Sequence, residues 1–229
     1  MDNLFGDLRF GARRRTRTTV FQAAAEYTGR WGWTVAVGSG RTPADGRCGC
    51  REAHCAAPGL HTAVGPEHTV SPRPEAGPPA VALRELWAGD APVLLPAGRS
   101  FDVLDVPAQP GLQALVRLER MGTRVGPVLA LPTGRLLFFV AVGTAQRLPE
   151  LLYRMGWDDA ALDLACHGEG SWIAAPPSSL GSLGPVRWLR RPSRESAGCP
   201  PEARLLLGTL AYACHRSRER SAEPAWLAS

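Results

Sequence analysis

The sequence predicts an α+β fold. Short β-prone runs and helix-period segments alternate without regular order, and no internal repeat organises them. Two of the apolar runs are consecutive and joined by Pro132-Thr133-Gly134-Arg135, which reads as a hairpin rather than a βαβ crossover.

Each element follows from local pattern. Val20–Arg30 carries Val20, Phe21, Ala24, Ala25 and Tyr27 at helical spacing, and Trp31-Gly32-Trp33 should break that helix. Thr34–Val37 reads as a buried strand. Residues 38–65 are rich in glycine, proline, cysteine and histidine and lack periodicity, and a proline-rich surface excursion follows (Pro66, Pro72, Pro74, Pro78, Pro79). Ala80–Trp87 reads as a short helix and Pro92–Leu95 as a strand. Phe101–Val106 is a further strand that Pro107 should end, because proline has no N–H for the ladder. Gly111–Met121 is a helix, expected to bury Leu112, Leu115, Val116 and Leu118 on one broad face. Val125–Leu131 and Leu136–Val142 form the hairpin, Leu148–Met155 a helix, Ala161–Ala165 and Ser171–Ala174 strands. A final helix is expected from about Glu202 to Arg218.

The 229 residues include no lysine, so all 26 basic residues are arginine, against 21 acids and a net charge of +5. The abundance of alanine, glycine (25) and proline (21) fits the codon bias of a GC-rich genome. Lysine chemistry is excluded, both the Schiff base and the Walker-type phosphate clamp, and no Walker-A motif is present. With 45% hydrophobic and 21% charged residues the chain can bury a sizeable core. No apolar run reaches the ~18 residues a membrane span needs. The nearest, Val125 to Val142, is interrupted by Pro127, Pro132 and Arg135, and Asp2 and Asp7 argue against a secretory signal. A cytoplasmic protein without membrane contact is the expectation. The positive charge is polarised: residues 1–17 are +3, residues 186–229 are +4, and the stretch between is −2. Arg13, Arg14 and Arg15 in the N-terminal tail are candidates for nucleic-acid phosphates, with a solvated tail as the plainer reading.

Five stretches, in order, carry a resemblance: Ala24–Val37 (AAEYTGRWGWTVAV), Cys48–His61 (CGCREAHCAAPGLH), Gly98–Val106 (GRSFDVLDV), Gly126–Val140 (GPVLALPTGRLLFFV) and Leu162–Ser178 (LDLACHGEGSWIAAPPS). The chain resembles the N-terminal domain of bifunctional DNA primase/polymerases, the Prim-Pol branch of the archaeo-eukaryotic primases. The resemblance implies a mixed sheet flanked by helices over residues 18–192. Residues 193–220 would then be a C-terminal helix packing on the domain, between a basic disordered tail (1–17) and a short one (221–229). It also implies DNA-templated nucleotidyl transfer. Family members hold divalent metal with an Asp-x-Asp pair on one strand and an acid on a later one, and contact nucleotide phosphates through a histidine after a glycine turn.

Side chains at i and i+2 of a strand share a face, so two such carboxylates converge on one ion. Here Asp105 matches the first aspartate and Asp163 the later acid, while Gly134 and Arg135 keep part of the nucleotide-binding turn. The second aspartate is Pro107 and the histidine position is Leu136. Asp102, three residues from Asp105, should point to the opposite face. Two carboxylates could hold Mg²⁺ or Mn²⁺ only weakly, so the enzyme implied by the resemblance is expected to be impaired and kept as a nucleic-acid-binding, nucleotide-binding or regulatory domain. The alternatives are an active metal-dependent primase/polymerase using Asp105 and Asp163 with a third acid such as Asp102 or Glu169, and a protein-interaction module without nucleic acid. A separate replication partner is a further expectation. For Asp105 the plain reading is a strand-end aspartate bonded to backbone or to an arginine; for Arg135 it is a solvated hairpin tip.

Cys48, Cys50 and Cys55 with His61 form the densest patch of soft ligands, in Cys-x-Cys-x4-Cys-x5-His spacing. Three thiolates and an imidazole complete a tetrahedral zinc shell that would staple a loop poor in apolar residues. Free, partly buried thiols are the competing reading. Cys166, Cys199 and Cys214 read as small core residues, and His167 and His215 have no evident partners.

Overall fold

In the computed structural model the described residues are 20–40, 47–50, 52, 54, 55, 59, 61, 62, 69, 70, 80–87, 91–158 and 160–222. They fall into two compact units, residues 1–96 with 172–187 and residues 97–171 with 188–229. Arg13, Arg14, Arg15 and most of the proline-rich passage lie outside the described residues.

The first unit begins with helix α1 (residues 20–29), which buries Val20, Ala24 and Tyr27. Gly32, at φ 66°, turns the chain after it. The turn brings Trp31 and Trp33 against Tyr27, with ring centroids 5.0 Å (Tyr27–Trp31), 6.3 Å (Tyr27–Trp33) and 5.4 Å (Trp31–Trp33) apart. Strand β1 (Val35–Val37) follows, then the two-residue β2 (Thr69–Val70), helix α2 (Ala80–Leu86), β3 (Val93–Pro96) and β8 (Trp172–Ala175). The sheet order is β2-β1-β3-β8, antiparallel throughout. Strands β1 and β3 are short apolar runs buried on both faces, hence continuous rather than alternating in sequence. The Pro176-Pro177-Ser178 segment closes this sheet: Ser178 is buried, its hydroxyl accepts the Val93 N–H at 2.8 Å, and the Tyr27 hydroxyl donates to the Pro176 carbonyl.

The second unit holds β4 (Asp102–Pro107), α3 (Ala108–Arg120), β5 (Val128–Leu131), β6 (Arg135–Val140), α4 (Thr144–Arg154), β7 (Ala165–His167), β9 (Arg187–Arg190), α5 (Arg194–Gly198) and α6 (Arg204–Ala222). The sheet order is β7-β4-β6-β5-β9, and β4 pairs antiparallel with both β6 and β7. Leu104 and Val106 of β4, with Leu136, Phe138 and Val140 of β6, face a core completed by Ala114, Leu115 and Leu118 of α3 and Leu206, Leu207 and Leu210 of α6. The expected α+β class and C-terminal helix are both present. No helix among the described residues is long and apolar enough to cross a membrane.

Three expectations are corrected. Leu112 and Val116 are 44% and 47% exposed, because Gly111, Ala114, Leu115 and Leu118 already define the packed stripe at i, i+3, i+4 and i+7. The strand expected at Ala161–Ala165 lies at Ala165–His167. Cys199 is exposed rather than part of a core. The strand β9 and the short helix α5, which a Ser193–Ser196 capping box starts, are additional to the expected elements and precede the final helix, which begins at Arg204.

Candidate functional site

Strand alternation places Asp105 on the face of β4 opposite Leu104 and Val106. Its direct partners are Leu137 on β6 and Ala165 on β7. Two residues along each partner strand, on the same face, stand Arg135 and His167, within diagonal reach of a carboxylate. Arg135 Nε donates to Asp105 Oδ1 at 2.7 Å, and His167 Nε2 donates to Asp105 Oδ2 at 2.8 Å. The other arm of the same guanidinium donates from Nη1 to Asp163 Oδ1 at 2.7 Å, and Nη2 reaches the Asp105 carbonyl at 3.3 Å. Asp163 sits in the turn leading into β7. Both acids singled out in the sequence are therefore brought together, and the group between them is Arg135.

Burial differs across this cluster. The Asp105 side chain is 15% exposed and Arg135 24%, whereas Asp163 is 65% exposed. Burial alone would raise the Asp105 carboxyl, but the hydrogen bonds from His167 and Arg135 and their charges hold it below its usual 3.8. Burial opposes the charge on Arg135, and its bonds to Asp163 and Asp105 more than restore it. An arginine here stays cationic at any physiological pH.

The remaining motif positions have clear structural roles. Pro107 is the last residue of β4, with α3 starting at Ala108, whose N–H donates to the Gly134 carbonyl at 2.8 Å. Gly134 has φ 77°, which the hairpin tip requires and which favours glycine. Leu136 is 2% exposed and belongs to the core face, away from Asp105. Asp102 also faces away from Asp105: it is 1% exposed, and its Oδ2 accepts the Ala145 N–H at 2.8 Å at the start of α4, where a helix dipole favours a carboxylate. Glu169 is exposed and follows β7. His167 was missed because its strand was set too early; the alternation Asp163, Ala165, His167 is the signal that would have found it.

In the first unit, the donor atoms of Cys48, Cys50, Cys55 and His61 all lie within 4.8 Å of one another. A tetrahedral ion with bonds of about 2.0–2.3 Å sets its donors roughly 3.5–3.8 Å apart, so the four can close on one metal ion with little movement. His61 Nδ1 faces the Thr62 carbonyl at 2.9 Å, and a carbonyl only accepts, so Nδ1 carries a proton. Nε2 is left as the ligand atom, 3.1 Å from Cys48 Sγ. Burial raises the Cys48 thiol, but hydrogen bonds from Ser39, the Cys50 and Gly59 backbone and the Cys50 thiol outweigh it and bring it from 9.0 to about 5. The half-buried Cys166 and the buried Cys214 go the other way, to about 12 and about 11, raised by burial and then by the charges of Asp102 and Asp163 respectively.

Asp105 on a central antiparallel strand, Asp163 before β7 and the Gly134-Arg135 hairpin turn between them in sequence stand at the positions that the resemblance to a primase–polymerase type of domain assigns to its acids and its turn. The model of the bifunctional DNA primase/polymerase N-terminal (Prim-Pol) family matches residues 24–202, and the chain belongs to that family. No curated protein and no solved structure matches it significantly.

Proposed function

We propose that this chain is a Prim-Pol domain without polymerase chemistry, retained to bind nucleic acid or nucleotide. The observation that carries this reading is the Arg135 guanidinium, bonded at 2.7 Å to both Asp105 and Asp163. Mg²⁺ and Mn²⁺ need near-octahedral sets of oxygen ligands, and the family supplies them from three acids. Here the two acids that remain are neutralised by a cation that cannot lose its proton, and Pro107 offers no third carboxylate. The donor set does not fit a divalent cation.

The rest of the machinery points the same way. Leu136 takes an apolar core position, so no imidazole from it meets a phosphate. Asp102 is committed to the α4 N-terminus. We read Arg135 as an internal counter-ion rather than a phosphate ligand, and we read Cys48, Cys50, Cys55 and His61 as a structural zinc site. Soft thiolates with one imidazole select zinc over the hard cations of phosphoryl transfer. Arg13, Arg14 and Arg15 would add salt-dependent phosphate contacts.

The test is primer extension on a primed template with Mg²⁺ or Mn²⁺, beside electrophoretic shift of single-stranded and duplex DNA. The expected result is no extension with DNA binding that weakens as salt rises. Extension lost in Asp105→Ala would establish the active reading, and no binding even at low salt would favour a protein-interaction module.

A further inference from the structure

Helices α3 and α6 pack against each other on the core side of the second sheet. Ala114 and Ala213 are buried where they meet. Such small side chains let the backbones approach and leave an open groove of about 340 Å³ along the contact. Its walls carry Gln113 and Arg117 from α3, and Thr209, Tyr212, Arg216 and Arg220 from α6. No carboxylate of the described residues lines it. Of the acids on these helices, Glu119 pairs with Arg190 at 3.0 Å, and Glu219 lies 3.7 Å from His215 and also favours the charge on Arg216 without bonding to it.

Two of the three guanidiniums are organised around one ring. Those of Arg117 and Arg216 lie 5.6 and 5.9 Å from the Tyr212 centroid, and Arg216 Nη1 donates to the Tyr212 hydroxyl at 3.2 Å. Arg220 is held by Gln113 Oε1 at 3.4 Å and by the Arg216 carbonyl at 3.3 Å. Residues 216 and 220 are one turn apart, about 6 Å along the axis, so the charges form a row. Tyr212 is 41% exposed. Flat cations beside a part-exposed aromatic ring, with no carboxylate bonded to them among the described residues, are the elements of single-strand recognition. Phosphates take the guanidiniums and a base takes the π-face. An acidic peptide would use the arginines but leave the ring without a purpose.

We propose that the α3–α6 groove binds single-stranded nucleic acid, with Arg117, Arg216 and Arg220 on phosphates and Tyr212 against a base. This rests on the reading that the domain binds nucleic acid, and gives it a site. Helix α6 begins at Arg204, beyond the residues that match the family model, so the α6 wall of the site lies outside the match and the α3 wall, with Arg117, inside it.

The experiment is fluorescence anisotropy of a fluorescein-labelled deoxythymidine oligonucleotide titrated with the full chain over a series of salt concentrations. The variants are Arg117→Ala/Arg216→Ala/Arg220→Ala, Tyr212→Ala and, as an arginine control on exposed α4, Arg147→Ala. Melting curves verify that each variant is folded. The triple variant should bind roughly 10- to 100-fold more weakly at low salt, with the log–log salt slope flattened by about 2 for three lost phosphate contacts. Tyr212→Ala should lose about 5- to 100-fold with the slope unchanged, and Arg147→Ala should match wild type. Wild-type binding with an unaffected triple variant would overturn the groove and leave the domain reading standing. No wild-type binding at low salt would overturn both. Tighter binding of polyglutamate than of the oligonucleotide, lost in the triple variant, would overturn the choice of partner.

Discussion

Replacing Arg135 by alanine should destabilise the second unit, and the structure sets the size of the effect. The substitution leaves Asp105, 15% exposed, with His167 as its remaining side-chain donor. A charge-assisted hydrogen bond to such a group contributes about 1.5–3 kcal/mol. The arm to Asp163 reaches a carboxylate that is 65% exposed, and solvent screening limits that pair to about 1 kcal/mol or less. The expected loss is therefore about 2–4 kcal/mol, read as a shift of about 1 M in the urea midpoint at constant slope. A double-mutant cycle with Asp105→Asn isolates the pair and should return a coupling of roughly 1.5–3 kcal/mol. Additivity within about 0.5 kcal/mol would refute the reasoning, because it would mean that the two side chains are not joined in solution. Arg135→Ala should also stay inactive in primer extension, since freeing two carboxylates restores neither the aspartate replaced by Pro107 nor the imidazole replaced by Leu136.

The remaining predictions concern pH, metal and backbone. Because Asp105 is held below 3.8 in the folded state, its contribution is present above that value and is lost as pH falls through the lower folded one. The stability gap between wild type and Asp105→Asn should accordingly be constant from neutral pH to about 5 and shrink as pH falls below about 4, as urea titrations at successive pH values would record. Purified protein should carry one zinc ion per chain by elemental analysis, and Cys48→Ser should lose it together with thermal stability of the first unit; zinc retained in that variant would sink the Cys3His assignment. Gly98→Ala should cost at least about 2 kcal/mol, since its φ of 82° is left-handed and the new Cβ would sit 2.5 Å from the Glu169 backbone N; an unchanged urea midpoint would contradict that geometry.

Much of the fold was legible because its elements are marked locally. The Trp31-Gly32-Trp33 break, the turn at Gly134 and the apolar runs of β3 and β6 all announce themselves at short range. What escaped is what long-range pairing decides. β7 lies four residues beyond its expected start because Leu162 and Leu164 supplied an apolar signal, whereas pairing with β4 selected Ala165–His167. The same slip hid His167 as a partner of Asp105. Parity along β4 did place Asp102 and Asp105 on opposite faces. It could not show that Arg135 turns inward to join two acids, since a hairpin-tip arginine is as easily solvated. The density of soft ligands made Cys48, Cys50, Cys55 and His61 a candidate metal set beside the reading of free thiols; their convergence and the proton on His61 Nδ1 needed the folded loop.

The claim that Arg135 stands where a divalent cation would is tested most directly by titrating Mn²⁺ into the zinc-loaded chain and following the free-ion signal by electron paramagnetic resonance. Thiolate ligands disfavour Mn²⁺, so the readout belongs to the carboxylates. The account predicts no saturable binding to wild type up to millimolar Mn²⁺, and the same for Asp105→Asn. Saturable binding of Mn²⁺ at micromolar concentration, abolished by Asp105→Asn, would contradict it.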